Sequence, residues 1–97
     1  MKNYSYPLAD DWTTDEIVVV TTLYQRLEDA YELNQGVSKQ ALLAAYQAFK
    51  EIVPSKSQEK QLGRQFETLT GYSLYRTMKA ARETTRKSVK MVLGGSH

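Results

Sequence analysis

Apolar side chains recur at intervals of three and four along most of this chain, and the breaks between those runs mark out four helices. Ile17, Val20, Tyr24, Leu27 and Tyr31 share one stripe, which Leu23 and Ala30 widen. The Ile-Val-Val-Val run at 17–20 has strand character when taken alone, but the longer period decides for a helix. Thr13 and Glu16 make a capping box ahead of that stripe, Asp15 and Glu16 suit the positive end of the helix dipole, and Gly36 marks the end. Ser38 then caps a second helix, with Val37 placed to staple against Leu42. Leu42, Ala45 or Tyr46, Phe49 and Ile52 or Val53 form its apolar face, and Gln40, Gln47, Lys50 and Glu51 are left for solvent.

The corner between helices 2 and 3 is fixed by chemistry at Pro54. Its ring removes a backbone N–H and disfavours helical geometry at Val53, so the second helix stops there. Ser55 caps the third helix at once, with Gln58 completing a capping box. Helix 3 is expected to run to Thr70, burying Leu62, Phe66 and Leu69, and to stop at Gly71. Gly63 inside it costs about 1 kcal/mol relative to alanine, which points to another backbone or an aromatic ring lying close. Ser73 caps helix 4, whose expected inner side is Leu74, Met78, Ala81, Thr85, Val89 and Val92, weakening in the last turns. Residues 1–12 have no helical period but hold Tyr4, Tyr6, Pro7, Leu8 and Trp12, an aromatic arm that must dock somewhere.

The resulting expectation is an all-α fold: a small antiparallel bundle of about four helices with an extended aromatic N-terminal arm. One domain spans residues 1–93, and the Gly-Gly-Ser-His ending at 94–97 reads as an appended linker and the first residue of a tag. With 97 residues, 41% of them hydrophobic and 25% charged, the chain has material for one core. It contains no cysteine, which removes disulfides, thiolate catalysis and Cys-based zinc sites and suits a cytoplasmic location. The longest purely apolar run, residues 41–46, falls far short of the ~20 residues a membrane span requires.

Catalytic chemistry finds little to work with. The single histidine is His97, the adjacent Asp10 and Asp11 sit on the arm, and no Gly-rich phosphate loop or Glu-x-x-His pairing occurs. The residues therefore predict a protein that is not an enzyme and holds no cofactor or metal. Charge is more informative. Residues 1–34 carry two cations against seven carboxylates, a net charge of minus five, whereas from Arg76 onward six cations oppose only Glu83, a net charge of plus five.

Three candidate surfaces follow. The first is a protein-interaction surface formed by Tyr4, Tyr6 and Trp12 of the arm with Tyr72, Tyr75 and Arg76 at the corner before helix 4, residue types enriched in binding hot spots. The second is an anion site at the start of helix 3, from Ser55, Lys56 and Lys60. The third is a basic stripe along helix 4, from Lys79, Arg82, Arg86, Lys87 and Lys90, which would suit nucleic-acid phosphates. Each has a purely structural counterpart. The aromatics would close the bundle end, Ser55 would only cap, and the basic stripe would pair with helix 1: Glu28, Asp29 and Glu32 with Arg76 and Lys79, and Asp15 and Glu16 with Arg86, Lys87 and Lys90. A cytosolic, non-catalytic interaction module with an unknown protein partner is the preferred reading, with nucleic-acid binding by helix 4 as the alternative and no membrane association.

Four separated runs carry a resemblance: Tyr6-Pro7-Leu8, then Trp12 to Val18, then Phe49-Lys50-Glu51-Ile52-Val53-Pro54-Ser55-Lys56, then Gly71-Tyr72-Ser73-Leu74-Tyr75-Arg76. In that order they resemble the YktA-like uncharacterised protein family of Gram-positive bacteria (UPF family 0223), over residues 4 to about 82. The resemblance implies a small all-helical cytoplasmic protein and supplies no reaction, ligand or catalytic residues.

Overall fold

The computed structural model describes residues 5–93. Its elements in chain order are α1 (Thr14–Glu32), β1 (Val37–Ser38), α2 (Lys39–Ile52), α3 (Lys56–Thr70), α4 (Leu74–Glu83) and β2 (Ser88–Val89). Four helices thus make a small bundle, joined by one two-residue antiparallel ladder with Val37 opposite Val89 and Ser38 opposite Ser88.

The helix starts lie where the capping residues place them. Thr13 and Glu16 make both bonds of a capping box, at 3.2 and 2.9 Å. Ser38, Ser55 and Ser73 each accept an N–H from the third residue onward. At Ser55 only this forward bond is present among the described residues, so Gln58 does not complete a box. Gly71 ends α3 in the left-handed region at φ 84°. Helix α1 stops earlier than Gly36 suggests, with Leu33 as its C-cap, and Gly36 instead takes φ 76° in the turn leading to β1.

The core follows the apolar periodicity. Val20, Leu23, Tyr24, Leu27 and Ala30 from α1 meet Leu42, Ala45 and Phe49 from α2, Leu62 and Phe66 from α3, and Leu74, Met78 and Ala81 from α4. Leu69, expected inside, is 39% exposed. Gly63 lies against an aliphatic side chain and not a backbone or an aromatic ring: a Cβ there would stand 3.2 Å from Leu74 Cδ2. The glycine lets α4 seat its first turn on α3.

The arm docks through its aromatics. Tyr6 packs on Tyr24 at 5.1 Å between ring centroids, Tyr24 stacks on Phe66 at 4.8 Å, and the Tyr24 hydroxyl donates to the Pro7 carbonyl at 2.8 Å. Trp12 is half-buried against the core.

The main departure is at the C-terminal end. Helix α4 stops at Glu83, not near Val92, and the chain turns back through residues 84–87 to form β2. Lys39 N–H extends the ladder to the Lys87 carbonyl at 2.8 Å, and Met91 N–H donates to the Ala30 carbonyl at 2.8 Å. Lys90 Nζ reaches the carbonyls of Tyr31 and Leu33 at 3.1 and 2.6 Å. Helix α1 has no basic residue in its last turn. The returning segment supplies both a donor and a cation to those end carbonyls, where the helix dipole favours positive charge.

Candidate functional site

The surface feature that gathers the most chemistry is a groove between α3 and α4, about 480 Å³ in volume. Lys56, Lys60 and Arg64 line it from α3, each one helical turn beyond the last, so that a row of exposed cations runs roughly 12 Å along the axis. Arg82 adds a fourth from α4. The floor is apolar: Gly63 on one side, with the buried Leu74 and Met78 on the other. Tyr75 stands at the rim, 70% exposed.

Two carboxylates also line the groove, Glu59 and Glu67. Glu59 is engaged by its neighbours: it accepts from the Tyr46 hydroxyl at 2.7 Å and from Lys50 Nζ at 2.5 Å. Burial, then the bond to the Glu59 carboxylate, push the Tyr46 phenol up to about 12, so it remains a neutral donor across the physiological range. With Glu59 answered by Lys50, the four cations of the groove face Glu67 alone, and its field is positive.

The tyrosines separate into two groups. Tyr6, Tyr24, Tyr46 and Tyr72 donate their hydroxyls to protein acceptors, and Tyr31 accepts the Ser73 N–H at 3.1 Å. Tyr72 is buried, stacked on Tyr31 at 4.3 Å, with its hydroxyl on Glu32 at 2.6 Å. It closes the bundle end and is not a contact surface. Tyr75 alone among the described tyrosines has a hydroxyl with no protein partner and a ring mostly in solvent.

The proposed surfaces are accordingly redistributed. Tyr4 lies outside the described residues. Tyr6 donates to Glu28 at 3.1 Å and, like Trp12, is half-buried in the arm–bundle contact. Arg76 is exposed one residue beyond Tyr75, on a face of α4 that does not line the groove. Ser55 serves as the α3 cap, while Lys56 and Lys60 belong to the groove.

The basic stripe does not exist as one helical face. Only Lys79 and Arg82 are on α4, and of these Arg82 alone lines the groove. Arg86 and Lys87 are exposed in the connection to β2, and Lys90 clamps the end of α1. Nor are these cations tied to helix 1 carboxylates. The ion pairs among the described residues are Arg26 with Asp29, within α1, and Lys50 with Glu59.

The groove thus unites fragments of three sequence candidates: Lys56 and Lys60, Tyr75, and Arg82. Arg64, Glu67, Leu74 and Met78 were missed as site residues. Their signal lay in the four-residue spacing of Lys56, Lys60 and Arg64 around a mid-helix glycine. No group of three or more His, Cys, Asp or Glu among the described residues is placed to hold a metal. No helix among them is long and apolar enough to cross a membrane.

Comparison with known sequences gives a consistent result. The profile of an uncharacterised protein family, UPF0223, matches residues 3–90. The chain is 48% identical over 90 residues to a UPF0223 protein of Streptococcus gordonii strain Challis, covering 93% of this chain and 96% of that one. It is 52% identical over 86 residues to a UPF0223 protein of Lactiplantibacillus plantarum, covering 88% and 86%. It is also similar to the UPF0223 protein YktA of Bacillus subtilis strain 168, at 49% over 88 residues, covering 91% of this chain and 98% of that one.

Proposed function

The chain belongs to the UPF0223 family, a family described as uncharacterised, so its role has to be read from its own surface; we propose that it is a small cytoplasmic, non-catalytic protein-interaction module that binds through the α3–α4 groove. The observation that carries this reading is Tyr75. In a protein that gives its other described tyrosines a hydrogen-bond partner, this ring is left 70% exposed beside an apolar floor and a row of cations. Exposed tyrosine next to arginine is the residue chemistry of binding hot spots, and such a ring contributes to affinity by being buried when a partner arrives. The non-catalytic part draws support from the groove's titratable groups: Glu59 is committed to Lys50 and Tyr46, and no histidine or cysteine among the described residues lines the groove. The cysteine-free composition suits the cytoplasm.

Site-specific photocrosslinking in living cells tests the reading. Tyr75 is replaced by p-benzoylphenylalanine, and Gln25, exposed on α1, is replaced in a control chain. A discrete crosslinked protein from position 75, absent from position 25, suppressed by co-expressed wild-type chain and largely retained when the competitor is Tyr75→Ala chain, is the expected result. Crosslinks of equal yield from both positions, or none from position 75, would overturn it.

A further inference from the structure

We propose that the occupant of the α3–α4 groove is a short acidic peptide segment that carries an apolar side chain among its carboxylates; this deepens the interaction reading above and rests on it. The cations decide the charge of the ligand. Lys56, Lys60 and Arg64 recur every fourth residue along α3, which sets successive side chains roughly 5–6 Å apart at their Cβ atoms. Carboxylates two residues apart on an extended chain are about 6.6 Å apart, so each can meet its own cation. Arg82 faces that row across the groove.

The floor decides what lies between the carboxylates. Gly63 leaves the middle of the α3 wall without a side chain, and Leu74 and Met78 present aliphatic and thioether surface there. Methionine adapts to irregular apolar shapes at low cost, so a leucine, isoleucine or phenylalanine side chain of the ligand has a place to be buried. The apolar floor disfavours a phosphodiester backbone, which has no side chain to bury there. Its further cations are also off track, with Lys79 outside the groove lining and Lys90 engaged with α1 carbonyls.

An array of short random-sequence peptides, probed with the wild-type chain and with a Lys60→Glu/Arg64→Glu chain, tests this directly. Both residues are exposed, so the double variant is expected to fold, as circular dichroism would check, and Arg82→Gln provides an independent second variant. The expected result is enrichment of Asp and Glu around an apolar residue among wild-type binders. Resynthesised binders should lose about tenfold in affinity in the double variant, since two exposed charge pairs each contribute modestly, and should weaken as NaCl rises from about 50 to about 500 mM. Binders without acidic preference, or acidic binders that the double variant holds equally well, would overturn the inference while leaving the interaction reading intact. Tighter binding of a single-stranded oligonucleotide in the same buffer would overturn it, as would concentration-dependent self-association abolished by the double variant. Failure of the crosslinking at position 75 would remove both readings.

Discussion

Tyr46 and Tyr75 show how differently two tyrosines can be used within one groove. Tyr75 offers its ring to solvent, whereas Tyr46 spends its hydroxyl on holding Glu59 in place beside Lys50. The second arrangement has a pH signature whose sign is fixed by linkage. Its phenol titrates at about 12 in the folded chain against 10.0 for the free side chain. The folded state therefore holds this proton more tightly, so the stabilisation is fully present below pH 10 and is lost as pH rises through about 12. Tyr46→Phe removes both the bond and the proton. At neutral pH the variant should melt lower by an amount corresponding to one hydrogen bond, roughly 0.5–1.5 kcal/mol. The gap between the two melting curves should then narrow as pH rises from 10 towards 12. A gap that stays constant over that interval would show that the Glu59 contact contributes nothing specific to the phenol form.

Among the elements, the returning segment after α4 is the one that tertiary structure decided against local pattern. Thr84 and Thr85 are β-branched and weaken a helix, and Ser88 to Met91 alternate outward and inward, with Ser88 and Lys90 exposed and Val89 buried. The signals were present, but six cations at roughly helical spacing obscured a period-two pattern only four residues long. What made the strand worth forming was its partner, Val37, and the bare C-terminal carbonyls of α1, and both are far away in the chain. Helix starts were legible because a cap is a local bond: Thr13, Ser38, Ser55 and Ser73 each act within four residues. The groove was legible only in halves, since Lys56 and Lys60 on α3 say nothing about which face of α4 they meet. Gly36 tests the returning segment. A Cβ there would lie 2.1 Å from the Val89 carbonyl oxygen, on top of the strain of φ 76°, whereas at Gly71 it would meet only a Leu93 methyl at 3.4 Å. Gly71→Ala should cost the left-handed penalty of about 1–2 kcal/mol, or roughly 5–15 °C in Tm for a chain of this size. Gly36→Ala should cost more and should strip hydrogen-exchange protection from the Lys39 and Met91 amides. Equal losses at the two glycines, with those amides still protected, would mean that β2 is a passive passenger on the fold.

At the scale of the whole molecule, the sequence is electrically lopsided, with minus five over residues 1–34 and plus five from Arg76 onward. Pairing of those halves across the bundle would make helix order depend on charge. The structure divides the work otherwise. Helix order comes from the apolar faces of α1 and α2 and from the backbone bonds of the returning segment. The ion pairs among the described residues are an i,i+3 pair on α1, about 30% exposed at each side chain, and Lys50 with Glu59. Exposed pairs contribute roughly 0–1 kcal/mol each, and at 0.15 M salt charges more than about 8 Å apart are largely screened from each other. Folding stability should therefore be nearly indifferent to salt: raising NaCl from about 50 to about 500 mM should move Tm by less than about 4 °C, the shift expected for under 1 kcal/mol in a domain of this length. Ligand binding in the groove should respond strongly over the same range, because its four cations stand exposed and outnumber Glu67, the one lining carboxylate left once Glu59 is held by Lys50. Measuring both quantities on one sample separates the two uses of charge. A fall in Tm of 10 °C or more with salt would mean that long-range attraction between the acidic and basic halves holds the bundle together. An unchanged Tm alongside salt-sensitive binding would mean that the basic residues around α3 and α4 are kept for the surface they present.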